Sequence, residues 1–124
     1  MAKHAKPQKV YVSYAKGDAG RIDGVLARLA QLGLMEPADE VMSDKDTDPK
    51  HGSLRDGVRR QIQSASKVVV VWTATSAASQ WVNYELGLAD AFGKTIIPVV
   101  RRGELGSLPP LLQELHAVIV EDDE

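Results

Sequence analysis

The sequence has no cysteine among its 124 residues. This absence excludes disulfide bonds, thiolate metal sites and a cysteine nucleophile, and it fits a reducing compartment. Long apolar runs are also absent: the longest, residues 68–72, is far too short to cross a bilayer, and the polar start MAKHAKPQK lacks the apolar core of a signal peptide. We therefore expect a cytoplasmic protein with no membrane partner.

The chain also lacks a large excess of either positive or negative charge. The formal net charge is −2, and the basic residues do not gather into one long run. This argues against a nucleic-acid partner, which requires an electrostatic footprint. With 44% hydrophobic residues, the chain can bury one modest core. We therefore expect a single domain over residues 9–124, preceded by a disordered tail over residues 1–8.

Five short stretches have the composition of strands, rich in β-branched residues and bounded by polar ones. They cover residues 9–14, 40–43, 67–73 and 95–100, with the last in the segment HAVIVED at 116–122. The third, KVVVVWT, is a continuous apolar run. Such a run is typical of a strand that is covered on both faces in a parallel sheet.

Helical periodicity fills the regions between these strands. Its apolar positions are Ile22, Val25, Leu26 and Leu29 in the first helix; Leu54, Val58, Ile62 and Ala65 in the second; and Val82, Leu86, Ala89 and Phe92 in the third. Asp18 is the predicted cap of the first helix and Gly33 its stop. Ser53 with Asp56 three residues on predicts a capping box for the second. A short helix is predicted at LLQEL, residues 111–115.

The alternation of strands and helices indicates an α/β fold with a parallel sheet and right-handed crossovers. We predict a flavodoxin-like five-stranded sheet of order 2-1-3-4-5 with helices on both faces, whose ligands bind at the switch point between strands 1 and 3. The final helix of such a fold is missing, because the sequence stops at EDDE after the fifth strand. We therefore expect an N-terminal module of a longer protein, with a sensor or oligomerising part after residue 124.

The third helix carries an acidic residue at an unusual position. Val82, Leu86 and Ala89 recur with the helical period and form the apolar stripe, and Glu85 is predicted at the edge of that stripe. Trp81 lies four residues before Glu85, so the two side chains are neighbours on the helix surface. A carboxylate against a large apolar ring, near the switch point, is a candidate functional group.

Three boxes in the same order resemble those of a TIR (Toll/interleukin receptor) domain, over roughly residues 9–120. They are Tyr11-Val12-Ser13-Tyr14 with Asp18; Asp44 before a loop that ends at Gly52; and the S-x-W-x-x-x-E box formed by Ser79, Trp81 and Glu85. In bacterial, plant and axonal members of that family, the Glu of the last box is needed to cleave NAD. The resemblance implies that Glu85 is catalytic, with NAD as the substrate and no resident cofactor or metal.

The resemblance also implies roles for four other residues. Trp81 is expected to orient and shield Glu85, and Tyr14 to line the pocket near the nucleotide. Ser13 and Asp44 are expected to contact the substrate. Nicotinamide leaves as a neutral molecule, so no general acid is required, unlike ordinary glycoside hydrolysis. Glu85 alone would then stabilise the oxocarbenium-like ribose.

Residues 44–52 form a polar loop that is expected to be mobile. In the family, this loop docks on a neighbouring TIR domain and helps to close the active site. The resemblance therefore implies self-association through this loop. It leaves two function classes: an NAD-cleaving enzyme that acts as a prokaryotic defence effector, and a non-enzymatic adaptor that signals through TIR–TIR contacts.

Parts of the sequence resemble other known types of site, but each type lacks a required residue or its structural context. Asp44, Asp46 and Asp48 resemble the start of a calcium loop, but Pro49 and Arg55 stand where a Gly and a Glu are required. The Gly-Lys-Thr at 93–95 precedes a strand instead of opening a helix, so it is not a phosphate-binding loop. The three histidines are too scattered for a metal site. A receiver domain would need an Asp at the end of the third strand, where Val-Trp-Thr stands.

Overall fold

The structure, a computed structural model, describes residues 7–46 and 53–121. Its strands are β1 (Lys9–Ser13), β2 (Glu40–Met42), β3 (Lys67–Trp72), β4 (Thr95–Arg101) and β5 (Val118–Val120). Its α-helices are α1 (Ile22–Gln31), α2 (Leu54–Ser64), α3 (Ala74–Ala77), α4 (Gln80–Ala91) and α5 (Pro110–Gln113). Short 3₁₀ helices cover Lys16–Arg21, Asp44–Asp46 and Arg102–Ser107.

The strands form one sheet of order β2-β1-β3-β4-β5, and every pair of neighbours is parallel. The predicted fold class and strand order are therefore confirmed. The order reverses between β1 and β3, which pair directly with Tyr11 opposite Val68. In a sheet of this kind, the crevice at that reversal is where ligands bind.

The core lies in two layers, one on each face of the sheet, because successive residues of a strand point to opposite faces. Tyr11 belongs to the first layer, with Val58 and Ile62 of α2 and Val82 and Leu86 of α4. The second layer combines sheet residues with α1. Its members are Val10, Val12, Val25, Leu29, Met35, Val69, Val71, Ile97, Val99 and Val118. The continuous apolar run of β3 is buried because it supplies both layers.

Some local predictions hold and others need correction. The Ser53 hydroxyl accepts the Asp56 backbone N–H at 3.1 Å, which confirms the predicted cap of α2. Gly33 ends α1 with a φ of 75°, a conformation that favours glycine. Leu54 was predicted to line the core, but it is 48% exposed because it lies in the first turn of α2.

Asp18 does not cap α1. A 3₁₀ helix, Lys16–Arg21, intervenes, and Arg21 occupies the cap position of α1 without a side-chain bond. Asp18 is instead buried, with 5% of its surface exposed, and accepts a hydrogen bond from Thr73. A short polar side chain after a strand fits either role, and here the tertiary contact prevails.

Of the predicted disordered tail over residues 1–8, the structure describes only residues 7 and 8. Residues 1–6 lie outside the described residues. Gln8 is tied to the loop before β2, because its backbone N–H donates to Asp39 and its carbonyl accepts from Glu40. The domain therefore includes Gln8.

Candidate functional site

The site centres on Glu85, on the inward face of α4. Ser79 starts this helix by accepting the Val82 N–H at 3.1 Å. Glu85 was predicted at the edge of the apolar stripe, but it is only 1% exposed and lies among the buried residues of the helix. The correction has a physical reason: the carboxylate has hydrogen-bond donors inside the fold, so it does not need water.

Those donors come from β1. The Tyr11 hydroxyl donates to Oε2 of Glu85 at 2.5 Å, and the Ser13 hydroxyl donates to Oε1 at 2.6 Å. Tyr11 and Ser13 are two residues apart on a strand, so both side chains point to the same face of the sheet. Both are fully buried. The two oxygens of one carboxylate are thus each held by one hydroxyl from the same strand.

Burial raises the pKa of Glu85 to about 7. The hydrogen bonds from Ser13 and Tyr11 oppose this shift because they favour the ionised carboxylate, and the negative charge of Asp44 adds to it. Burial, followed by the nearby Glu85 charge, raises the pKa of Tyr11. At neutral pH Tyr11 is therefore a hydroxyl donor, while Glu85 is divided between its two protonation states.

Asp44 follows β2, in the 3₁₀ helix Asp44–Asp46, and it is partly exposed. Its charge raises the pKa of both Glu85 and Tyr11, so the structure places it within electrostatic reach of the pair. Its predicted contact with the substrate stays a prediction. Residues 47–52 lie outside the described residues, and so do the predicted mobility and docking of that part of the loop.

Tyr14 is not brought to Glu85. It follows Ser13 directly, so the alternation of the strand turns it toward the opposite face of the sheet. There it packs, partly buried, against the layer that contains Val12 and α1. Tyr14 therefore lies on the face opposite Glu85, and its predicted role in lining the pocket near the nucleotide stays a prediction.

Trp81 lies one turn before Glu85 and is partly buried against the first core layer. Its ring centroid is 5.5 Å from that of Tyr84, with the planes inclined at 31°. Among the described residues, the buried Nε1 of Trp81 has no hydrogen-bond partner. The hydrogen bonds that hold Glu85 come from β1, and the predicted role of Trp81 in orienting and shielding Glu85 stays a prediction.

A second buried polar cluster joins the loops that follow β1 and β3. The Thr73 hydroxyl donates to Oδ2 of Asp18 at 2.7 Å, and the Ser76 hydroxyl donates to the Val71 carbonyl at 3.1 Å. Arg21 lies 3.7 Å from the other Asp18 oxygen. Because these loops border the switch point, the cluster fixes the rim of the crevice.

Sequence reasoning missed the part that Tyr11 plays. It placed Tyr11 in the first motif box but gave the pocket role to Tyr14. A signal was available, because period-two alternation puts Tyr11 on the face of Ser13 and Tyr14 on the other face. The hydroxyl that reaches Glu85 is therefore the one nearer the start of the strand.

Two further features concern metal binding and membrane spans. Over residues 7–46 and 53–121, no group of three or more His, Asp or Glu side chains is arranged to hold a metal ion. In the same ranges, no helix has both the length and the apolar character that a membrane span requires.

Comparison with known proteins places the site in context. The chain matches the TIR domain family over residues 10–124. A search of curated proteins found none that is significantly similar in sequence. Among solved structures, it resembles the TIR domain of the Toll-related receptor TRR-2 from Hydra magnipapillata, with a TM-score of 0.68 and 16% identity, over 89% of this chain and 82% of that one.

Two other structures share the fold. The CMP N-glycosidase BcmB of Clostridium botulinum aligns with a TM-score of 0.60 and 18% identity, over 93% of this chain and 90% of that one. The TIR domains of the activated Roq1 resistosome, which recognises the pathogen effector XopQ, align with a TM-score of 0.57 and 18% identity, over 77% of this chain and 58% of that one. At identities this low, the structural similarity shows a common fold and nothing more.

Proposed function

Because this chain belongs to the TIR domain family, we propose that it is an NAD⁺ nucleosidase that cleaves the nicotinamide–ribose bond when it self-assembles. The observation that carries the proposal is the buried Glu85 carboxylate, held by Tyr11 and Ser13 at the end of β1. The setting is a prokaryotic cytoplasm, where consumption of NAD⁺ would act as a defence against infection.

The chemistry of this bond suits a site with one carboxylate. Nicotinamide is a cation in NAD⁺ and leaves as a neutral molecule, so no general acid is needed. Charge then develops on the ribose, and Glu85 opposes it in a dry environment where electrostatic interactions are strong. In its ionised form, Glu85 is the catalytic residue of the proposed reaction.

The groups around Glu85 support NAD⁺, more than a pyrimidine nucleotide, as the proposed substrate. The structurally similar BcmB is named for the N-glycosidic cleavage of CMP, so the fold is compatible with attack on a bond of this class. Cytosine is a poor leaving group unless it is protonated, which requires an acid in addition to the stabilising carboxylate. Around Glu85, the described groups are the two hydroxyls and the charge of Asp44, which supply no such acid near neutral pH.

Burial explains why assembly belongs to the proposal. Glu85 is 1% exposed, so a substrate reaches it only after the side chains that cover it move. TIR domains associate with one another, and the Roq1 resistosome is an assembly that contains them. Contact between two copies, including the loop 44–52, would supply the free energy for this opening.

The direct test is the release of nicotinamide. The purified chain is incubated with NAD⁺ at high protein concentration, and separately as a fusion to an oligomerising domain. Chromatography with mass spectrometry then identifies nicotinamide together with ADP-ribose or its cyclic form. The proposal is rejected if neither preparation releases nicotinamide.

A first prediction concerns protein concentration. If two copies are needed to open the site, the rate of NAD⁺ cleavage rises more steeply than linearly with concentration, approaching the second power where monomers dominate. Initial rates and light scattering are measured over the same dilution series. A rate strictly proportional to concentration, through the range in which association is seen, would mean that each copy works alone.

A second prediction concerns Trp81. Trp81→Phe keeps most of the apolar contact of the partly buried ring but changes the wall beside Glu85. Small displacements of a catalytic group can cost on the order of a hundredfold in rate. We expect cleavage to fall at least about tenfold, while the melting temperature drops by only a few degrees.

The matched control is Trp72→Phe. The Trp72 indole is buried in the same layer and donates to the Ser107 carbonyl at 3.1 Å, so this variant loses a hydrogen bond away from α4. It should cost at least as much stability, with little change in turnover per folded molecule. If Trp81→Phe also keeps its turnover, Trp81 is core filler without a role in the site.

The alternative function is a non-enzymatic adaptor that signals through TIR–TIR association. The observation that favours it is that each oxygen of Glu85 already accepts a hydrogen bond inside the fold, because a structural carboxylate would look the same. An adaptor should associate normally but release no nicotinamide, and Glu85→Gln should leave its association unchanged. Measuring association and cleavage on the same samples separates the two functions.

A further inference from the structure

Two strand hydroxyls hold the Glu85 carboxylate, and they use only part of its hydrogen-bonding capacity. An ionised carboxylate has about four acceptor positions, two on each oxygen. Tyr11 occupies one position on Oε2, and Ser13 occupies one on Oε1. Among the described residues, these two bonds leave one position on each oxygen, and the two positions match the two neighbouring hydroxyls of a ribose.

The geometry points to Tyr11 as a positioning residue of the proposed NAD⁺ cleavage: its hydroxyl fixes the Glu85 carboxylate so that the unused acceptor positions face the ribose diol. This inference rests on the proposed function. Ser13 acts in the same way from the other oxygen. Neither hydroxyl needs to touch the reacting atoms, since each acts through Glu85.

The residues around Tyr11 hold its side chain in one position. Its side chain is fully buried, in the same core layer as Val68 and Ile62, so the ring has little room to turn. Its raised pKa keeps it a hydroxyl at every pH at which the protein would work. A hydroxyl that never ionises donates to the carboxylate without adding charge.

The carboxylate has few other polar neighbours. The titratable groups that act on it are Tyr11 from β1 and Asp44 after β2. The other elements packed on α4 are α2, α3, β3 and β4. Of these, α2, β3 and β4 contribute apolar members of the same layer, such as Ile62, Val70 and Val100, and α3 has no titratable side chain. Among the described residues, a donor lost at Tyr11 therefore has no charged replacement nearby.

The test is Tyr11→Phe, which removes one oxygen atom and keeps the ring. Without this donor the carboxylate is harder to ionise, so the titration midpoint of Glu85 should rise by roughly one to two pH units. Cleavage at pH 7 should fall about tenfold and recover as the pH is raised past the new midpoint. A purely structural defect would lower cleavage equally at every pH.

The midpoint is measured without any enzyme assay, from the carboxyl ¹³C signal of labelled glutamate, which Glu85→Gln assigns by its disappearance. Tyr84→Phe is the matched control: it removes a buried hydroxyl that has no hydrogen-bond partner among the described residues, and it should move neither the midpoint nor the pH profile. Ser13→Ala, which removes the donor to the other oxygen, serves as the second variant if Tyr11→Phe does not fold.

The outcomes separate the two ideas. A raised midpoint with a matching shift of the pH profile supports the positioning role. If the wild type cleaves NAD⁺ while Tyr11→Phe, or Ser13→Ala in its place, leaves both midpoint and profile unchanged, the positioning role is overturned and the proposed function stands. If the assembled wild type releases no nicotinamide at any pH, both fall, whatever the midpoint does.

Discussion

Glu85→Gln is expected to reduce nicotinamide release at least about a hundredfold, to near the limit of detection. The amide has almost the shape of the carboxylate and can still accept from Tyr11 or Ser13, so the fold is retained. It carries no charge, however, and cannot oppose the cationic ribose. The loss should therefore appear in the maximal rate of the assembled protein and should persist at every pH.

The measurement compares initial rates for the wild type, Glu85→Gln and Glu114→Gln in the assembled state. Glu114 is exposed at the end of α5, so its substitution makes the same chemical change outside the site. Circular dichroism and light scattering establish that all three fold and associate alike. Wild-type rates in Glu85→Gln would exclude Glu85 from catalysis and with it the proposed mechanism.

The second large effect is on stability as a function of pH. The pKa of Glu85 is raised to about 7 by burial, from an ordinary value of 4.5. A group whose folded pKa is raised stabilises the protein most below its unfolded pKa, and that contribution is lost as the pH rises through the folded pKa. The difference corresponds to about 3 kcal/mol of unfolding free energy lost between about pH 4.5 and pH 7.

Urea denaturation across this range checks the prediction. Other groups titrate as well, notably Asp39, whose pKa is lowered by hydrogen bonds from Glu36 and Gln8, so the quantity compared is wild type minus Glu85→Gln. That difference should fall steadily from acid toward pH 7 and then level off. A difference that does not vary with pH would mean that the Glu85 carboxyl ionises in the folded protein as it does in water.

Much of the fold could be predicted from local sequence patterns. The continuous apolar run of β3 identified a strand covered on both faces, and the period of Val82, Leu86 and Ala89 identified the face of α4 that packs inward. These signals work because burial of apolar surface is the main contribution at such positions. The order of the strands was predicted from the flavodoxin-like arrangement that a five-stranded alternating unit of this size most often adopts.

Local sequence patterns predicted only part of the candidate site. The motif box identified Glu85, but a lone carboxylate is costly to bury, so the pattern placed it at the edge of the stripe. Whether it goes inside depends on donors from another element, and helical periodicity contains no information about them. Tyr11 and Asp18 illustrate the same limit, because both take their roles from tertiary hydrogen bonds.

The hydroxyls that hold Glu85 have a further consequence through their place along the chain. Tyr11 is separated from Glu85 by 74 positions and Ser13 by 72, so no short segment of the chain contains the whole site. Contacts of such long range form only when most of the sheet is in place. Any opening that lifts α4 from β1 separates the carboxylate from both donors at once. A partly unfolded copy would therefore be unable to consume the dinucleotide, and the proposed NAD⁺ cleavage would be confined to fully native chains.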